Sequence, residues 1–352
     1  MRMRPGAKRG SLARTYQISQ KGEDMQGLEI SRAFWEEYGK PMMEERFPEL
    51  MGLVAVGLVG AGSECYGYDD ELSRDHDFEH GFCIYLPDEE KVNRRQEFLL
   101  GRAYESLPKE FMGLRRSLFN PAGGNRHGVF RTAEVFRAMT GLPGIPEGWR
   151  DFLRVPDESL AEATNGLVFY DGYGEFSAIH DAWRRPPRDV QLKKLCGYLI
   201  RMSQTGEYNL ERCLKRLDKA TAHLVVAEFV RATASAWEWI HNRPSPYYKW
   251  CIRSLAEYSD SGRLVSLLSA LLTDGRMPSE TGGSFAEIGR KQDDCYSAME
   301  LVRYTGDEIL ANVRRVFPEC AGETDLQRMA LALNDRISDG VLRSMSPLAA
   351  IG

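Results

Sequence analysis

The chain has 352 residues, enough for two domains. Its 43% apolar and 28% charged composition is that of a globular protein, and a net charge of −5 argues against nucleic acid as a general partner through a basic surface. No apolar run approaches 18 residues, so no membrane span is expected. The seven cysteines are odd in number and scattered, with no C-x-x-C pair and no zinc spacing among cysteines and histidines. That usage predicts a reduced, cytoplasmic protein.

Residues 1–26 carry Arg2, Arg4, Lys8, Arg9 and Arg14 with almost no apolar cluster, and are expected to be a disordered leader. The leader lacks the apolar segment of a signal peptide, and Met25 is an alternative start. Ile30, Phe34, Tyr38 and Met42 or Met43 share one face of a helix predicted over 28–47. An apolar run predicts a strand over 53–59, running into Gly62-Ser63. A second strand is predicted to hold Asp75 and Asp77 near its start and to run through Leu86. Proline and acids at 87–90 predict a helix onward to about 106. Residues 120–125 and 141–148 are connectors by their Gly and Pro content, and short strands are predicted over 127–131 and 166–172. Beyond Pro186-Pro187 the periodicity is helical, over 189–205, 210–241, 249–258, 263–272, 285–303, 305–316 and 325–342. This predicts an α+β domain over 27–185 and an all-helical domain over 186–352.

Gly62-Ser63 followed by Asp75-His76-Asp77 carries the chemistry. A glycine lets a phosphate approach the backbone, and a serine hydroxyl with neighbouring amides can donate to it. Two carboxylates at i and i+2 on a strand face one side and can share divalent cations, which places His76 on the other side. A dinucleotide-type reading of Gly57, Gly60 and Gly62 fails, because Cys65 stands where the third glycine belongs.

The strand, Gly-Ser, Asp-x-Asp, strand order resembles the nucleotidyltransferase superfamily. The longer run from Gly62 to Asp77, with Gly67-Tyr68-Asp69 and Ser73-Arg74-Asp75-His76-Asp77 inside it, resembles an uncharacterised bacterial family of nucleotidyltransferase-like proteins, the DUF4037 type. The resemblance extends to the helix opening at Gly27, to Val168-Phe169-Tyr170-Asp171, to Arg212 with Asp218, and to Pro246-Tyr247-Tyr248-Lys249-Trp250. It covers roughly residues 26–260.

The resemblance implies a nucleotidyltransferase-like mixed sheet with flanking helices. It also implies transfer of a nucleoside monophosphate from a triphosphate, ATP first among them, to a hydroxyl of a small molecule or protein. Asp75 and Asp77 would hold Mg²⁺ or Mn²⁺, and Gly62 and Ser63 would bind phosphate. Arg212, Lys249 and Tyr248 would contact the nucleotide. Active superfamily members add a third acid on a later strand. The segment 128–131 offers none at its centre, so the candidates for the third acid are Glu134, Glu79 and, further on, Asp171, the expected one, whose alternative role is that of a turn former. A site without a third acid would instead mark a non-catalytic nucleotide-binding or regulatory protein.

Overall fold

A computed structural model describes residues 25–70, 72, 79–116, 126–273 and 298–351. Asp75, His76 and Asp77 lie outside the described residues, as does nearly all of the leader. The chain divides into two compact units. One comprises residues up to 146 together with 162–183, and the other comprises 147–161 together with 184 onward. The helical unit thus recruits a segment well upstream of Pro186-Pro187.

In the first unit, α1 (Gly27–Phe34) runs through a π turn at Trp35–Gly39 into α2 (Lys40–Arg46). The ladder widens just ahead of Pro41, which has no amide to return to the preceding turn. Four strands follow: β1 (Ala55–Leu58), β2 (Cys83–Leu86), β5 (Gly128–Arg131) and β6 (Leu167–Asp171). Their order is β5-β2-β1-β6, with β1 antiparallel to both neighbours and β2 parallel to β5. A separate two-stranded ribbon pairs β3 (Glu110–Phe111) with β4 (Leu114–Arg115). Side-chain alternation divides the sheet between two layers. Val56, Phe82, Ile84 and Leu86 face Ile30, Phe34, Trp35 and Leu100, the last on α4 (Arg94–Glu105). On the other face the Tyr85 ring stacks on Phe176 at 3.9 Å, and Phe176 meets Phe136 at 5.1 Å. Those two phenylalanines sit on α8 (Glu175–Trp183) and α5 (Thr132–Thr140).

Two boundaries differ from expectation. The helix after Leu86 starts at Arg94, because Asn93 caps it: its side chain accepts from the Arg95 and Gln96 amides while Gln96 returns a bond to the Asn93 amide. This capping box outweighs the proline-acid signal at 87–90. And β2 is described over Cys83–Leu86, while the expected positions of Asp75 and Asp77 near its start lie outside the described residues.

The second unit begins with α6 (Trp149–Arg154) and the start of α7 (Asp157–Thr164). Its centre is α9 (Arg188–Met202), which is buried over most of its surface, Gln191, Lys193 and Lys194 included. Leu195, Cys196 and Leu199 of α9 are fully buried, as are Phe229, Trp237 and Trp239 of α11 (Lys219–Ile240). A π turn at Ser203–Asn209 leads from α9 into α10 (Leu210–Lys215). The predicted helix over 210–241 is broken, since Leu217 takes φ +60 and Asp218 then caps α11 through the Thr221 amide. The unit continues through α12 (Cys251–Leu255), α13 (Gly262–Leu272), α14 (Ala298–Val316), α15 (Leu326–Asn334) and α16 (Gly340–Ser344). Among the described residues no helix is long and apolar enough to cross a membrane.

Candidate functional site

The register gathers four chain segments at one end of the sheet. Gly57 of β1 pairs with Cys83 at the start of β2, Cys83 pairs with Gly128 at the start of β5, and Leu58 pairs with Leu167 at the start of β6. The loop after β1 therefore leaves where the other three strands begin. It leads through Gly62 into α3, a single turn over Ser63–Tyr66. The first-turn amides of Ser63 and Glu64 have no intrahelical acceptor and remain for another partner.

The loop is clamped rather than free. The Asn165 side chain accepts from the Gly60 amide at 2.9 Å and donates to the Gly60 carbonyl at 2.7 Å, so both sides of one residue are held. The Gly166 amide donates to the Cys65 carbonyl at 2.9 Å, and His180 meets the Asn165 carbonyl at 2.9 Å. Asp69 accepts from the Gly27 amide at 2.8 Å and ties the far side of the loop to the start of α1. The ends of the Arg126 and Glu64 side chains close over Gly62. Their ion pair is 2.6 Å long, and a Cβ on Gly62 would overlap both side chains.

Beside this loop lies a cavity of about 330 Å³, whose lining combines the polar Glu64 and Arg126 and the Gly62 backbone with Cys83, Tyr85 and Phe130. Glu134, in the first turn of α5, also lines it. Burial pushes the Cys65 thiol well up and the Cys83 thiol up to about 12, so both stay protonated and serve as apolar wall rather than as nucleophiles or metal ligands. Glu64 and Glu134 are hard oxygen donors of the type Mg²⁺ accepts, although Glu64 is committed to Arg126. Among the described residues no cluster of three or more His, Cys, Asp or Glu could hold a metal ion.

The expected third acid is not brought here. Asp171 pairs with Ala55, at the opposite end of β1 from Leu58 and about 10 Å along the strand. Its two oxygens accept from the Gly174 amide at 2.6 Å and the Ser177 amide at 2.8 Å, which makes it the turn former and cap of α8. Arg131, at the end of β5, is occupied too. It pairs with Glu97 at 2.5 Å and donates to the Pro87 carbonyl at 2.7 Å.

The second unit holds the remaining expected contacts. Arg212 lies over the Tyr208 ring, 3.7 Å from its centroid, and donates to the Tyr208 hydroxyl. Asp218 caps α11 through the Thr221 amide. Lys249 is exposed on the short 3₁₀ turn Tyr248–Trp250, 4.7 Å from the Trp250 ring centroid. Tyr248 is exposed and borders a cavity within this unit. Asn165, Arg126 and Glu64 had no signal of their own in the sequence beyond proximity to glycines.

His127 supplies a pH-dependent element beside the loop. It packs against Gly81, and burial pulls its pKa down to about 3. The ring is then neutral in the folded protein but takes a proton near pH 6.5 when unfolded. Below pH 6.5 the unfolded state holds the extra proton, so stability falls as the pH drops towards 3. Urea unfolding between pH 5 and 6 should show a slope up to about 1.4 kcal/mol per pH unit steeper in the wild type than in His127→Gln. Equal slopes would contradict this role.

A family model described as "Domain of unknown function (DUF4037)" matches residues 152–251. It supports the DUF4037-type resemblance over that segment, under a third of the chain, and does not reach the Gly62–Asp77 run. No curated protein and no solved structure matches the chain.

Proposed function

We propose that the protein is a Mg²⁺-dependent nucleotidyltransferase that moves a nucleoside monophosphate from a triphosphate, ATP first among them, to a hydroxyl of a small molecule or protein. The observation that carries this reading is the antiparallel register of β1 and β2. Residues 79–82 lead into Cys83 at the same end of the sheet from which Gly62-Ser63 departs, and a phosphate cradle beside a pair of metal-binding acids needs both segments at one end.

Mg²⁺ held by Asp75 and Asp77 would neutralise triphosphate charge and make an attacking hydroxyl more acidic. The chain's own contribution is positioning and charge. The amides of Ser63 and Glu64 and the Ser63 hydroxyl donate to phosphate oxygens, and the Asn165 clamp on Gly60 fixes the loop before the ligand arrives, so little ordering is left for the moment of binding. Arg126 offers a guanidinium at the same cavity, and Glu64 holds it in place. The apolar wall around Phe130 and Tyr85 has room to keep water from the reacting group.

A second reading, a nucleotide-binding protein without turnover, is favoured by the position of Asp171 at the far end of the sheet. It separates from the first at Glu134, the carboxylate at the cavity that has no ion-pair partner among the described residues. Pyrophosphate release should be followed with ATP, Mg²⁺ and a panel of hydroxylated acceptors. The enzyme reading expects release that Asp77→Asn abolishes and Glu134→Gln lowers strongly. Nucleotide binding with no release from any acceptor would leave the second reading.

A further inference from the structure

We propose that the second unit contains its own binding site, for a small molecule bearing an oxyanion, in the cavity between α6, α7, α9 and α11. The cavity measures about 310 Å³, at the small end of ligand pockets. A buried charge pair is part of its lining. Lys194 is 2% exposed, and its ammonium donates to Asp157 at 2.7 Å. The Asp157 carboxylate is saturated, because its other oxygen accepts from the Tyr198 hydroxyl at 2.7 Å and the Trp239 indole N–H at 2.6 Å.

Lys194 is not saturated. An ammonium has three donors, and among the described residues Asp157 is its one acceptor. A buried cation with two open donors on a cavity wall calls for oxygen acceptors in that cavity. Water could supply them, but the rest of the lining selects for charge. Arg154 and Arg231 line the same space, against Glu158 as the other acid. Arg154 has no ion-pair or hydrogen-bond partner among the described residues, and the Arg231 contact with Glu228 is long, at 3.5 Å. The Ser235 and Ser245 side chains add hydroxyl donors. Pro156, Pro246 and Ile351 add apolar lining. A phosphate or carboxylate between Lys194 and Arg231, with a compact organic body against the prolines, matches this lining.

Arg231 is exposed, so its removal spares the folded core, and it serves as the test position. Binding of inorganic phosphate and of malonate should be measured by calorimetry at constant ionic strength, with full-length wild type, Arg231→Ala and Ser63→Ala. Binding of at least one anion to the wild type is expected, with its Kd at least tenfold higher in Arg231→Ala and unchanged in Ser63→Ala. The tighter of the two probes distinguishes a phosphate-bearing from a carboxylate-bearing ligand. No binding of either anion, or binding unaffected by Arg231→Ala, would overturn the proposal. Binding lost in Ser63→Ala alone would assign the anion to the loop after β1 and overturn it equally. None of these readouts depends on nucleotidyl transfer.

Discussion

Replacing Gly166 with alanine should destabilise the first unit by about 3 kcal/mol or more, enough to lower its melting transition by several degrees. The residue sits at φ +69, a conformation that costs an L-residue about 1–2 kcal/mol. The larger part of the effect is steric. A Cβ there would overlap the carbonyl oxygen of Leu58 and lie 2.9 Å from the Val59 Cα. Both are backbone atoms, at the end of β1 and just beyond it, and neither can swing aside as a side chain would. Relief requires β6 to move away from β1, which pulls the Gly166 amide from the Cys65 carbonyl and Asn165 from Gly60. Gly141→Ala is the matched control. That glycine has φ +78 as the C-cap of α5 but open space around it, so only the conformational cost of about 1 kcal/mol applies. Equal melting temperatures for the two variants would contradict the packing argument. The same variant should weaken nucleotide binding, because the clamp and the loop are one structure.

Lys194→Met should cost the second unit about 3–5 kcal/mol, the usual penalty for breaking a buried ion pair. The substitution leaves Asp157, 9% exposed, with a charge that Tyr198 and Trp239 alone must satisfy. Removing both charges should be milder. The double variant Asp157→Leu with Lys194→Met leaves no orphaned ion and should recover more than half of the loss, since a buried pair often contributes little net stability over an apolar replacement. A double variant as unstable as the single one would mean that packing, not charge, sets the cost. Chemical denaturation of all three proteins reads the coupling directly.

The fold was legible where periodicity was long and punctuated. The helices at 188–202 and 262–272 and the strands at 55–58, 128–131 and 167–171 follow from apolar spacing and turn residues, while the helix expected over 285–303 lies mostly outside the described residues. Failures came where a side chain outvoted composition. Asn93 moved a helix start by several residues through a capping box, and Asp218 split a long helical pattern by capping its second part. Helices at 149–154 and 157–164 are short enough that tertiary packing decides them, and their glycine- and proline-rich neighbourhood reads as connector. At the candidate site Gly62 and Ser63 were legible because a phosphate loop needs those residue types. Asn165 was not, since a clamp between residues more than a hundred positions apart depends on strand register. The same register explains Asp171. Its sequence context, an acid after an apolar strand, fits a catalytic carboxylate and a turn equally well. Only the antiparallel pairing with β1 sends it to the end away from Gly62. The buried Lys194–Asp157 pair was likewise hidden, because a lysine within a helical pattern reads as a solvated face until the helix is seen to be surrounded.

The central claim is a metal–nucleotide site built on Gly62-Ser63 and the acids that precede β2. Calorimetric titration of ATP, GTP, CTP and UTP, with and without Mg²⁺, into wild type and Asp77→Asn tests it most directly. The account predicts that at least one triphosphate binds in a Mg²⁺-dependent manner and that Asp77→Asn removes the metal dependence while its melting temperature stays near that of the wild type. Absence of binding by all four triphosphates at millimolar concentration, or Mg²⁺-dependent binding undiminished in Asp77→Asn, would contradict it.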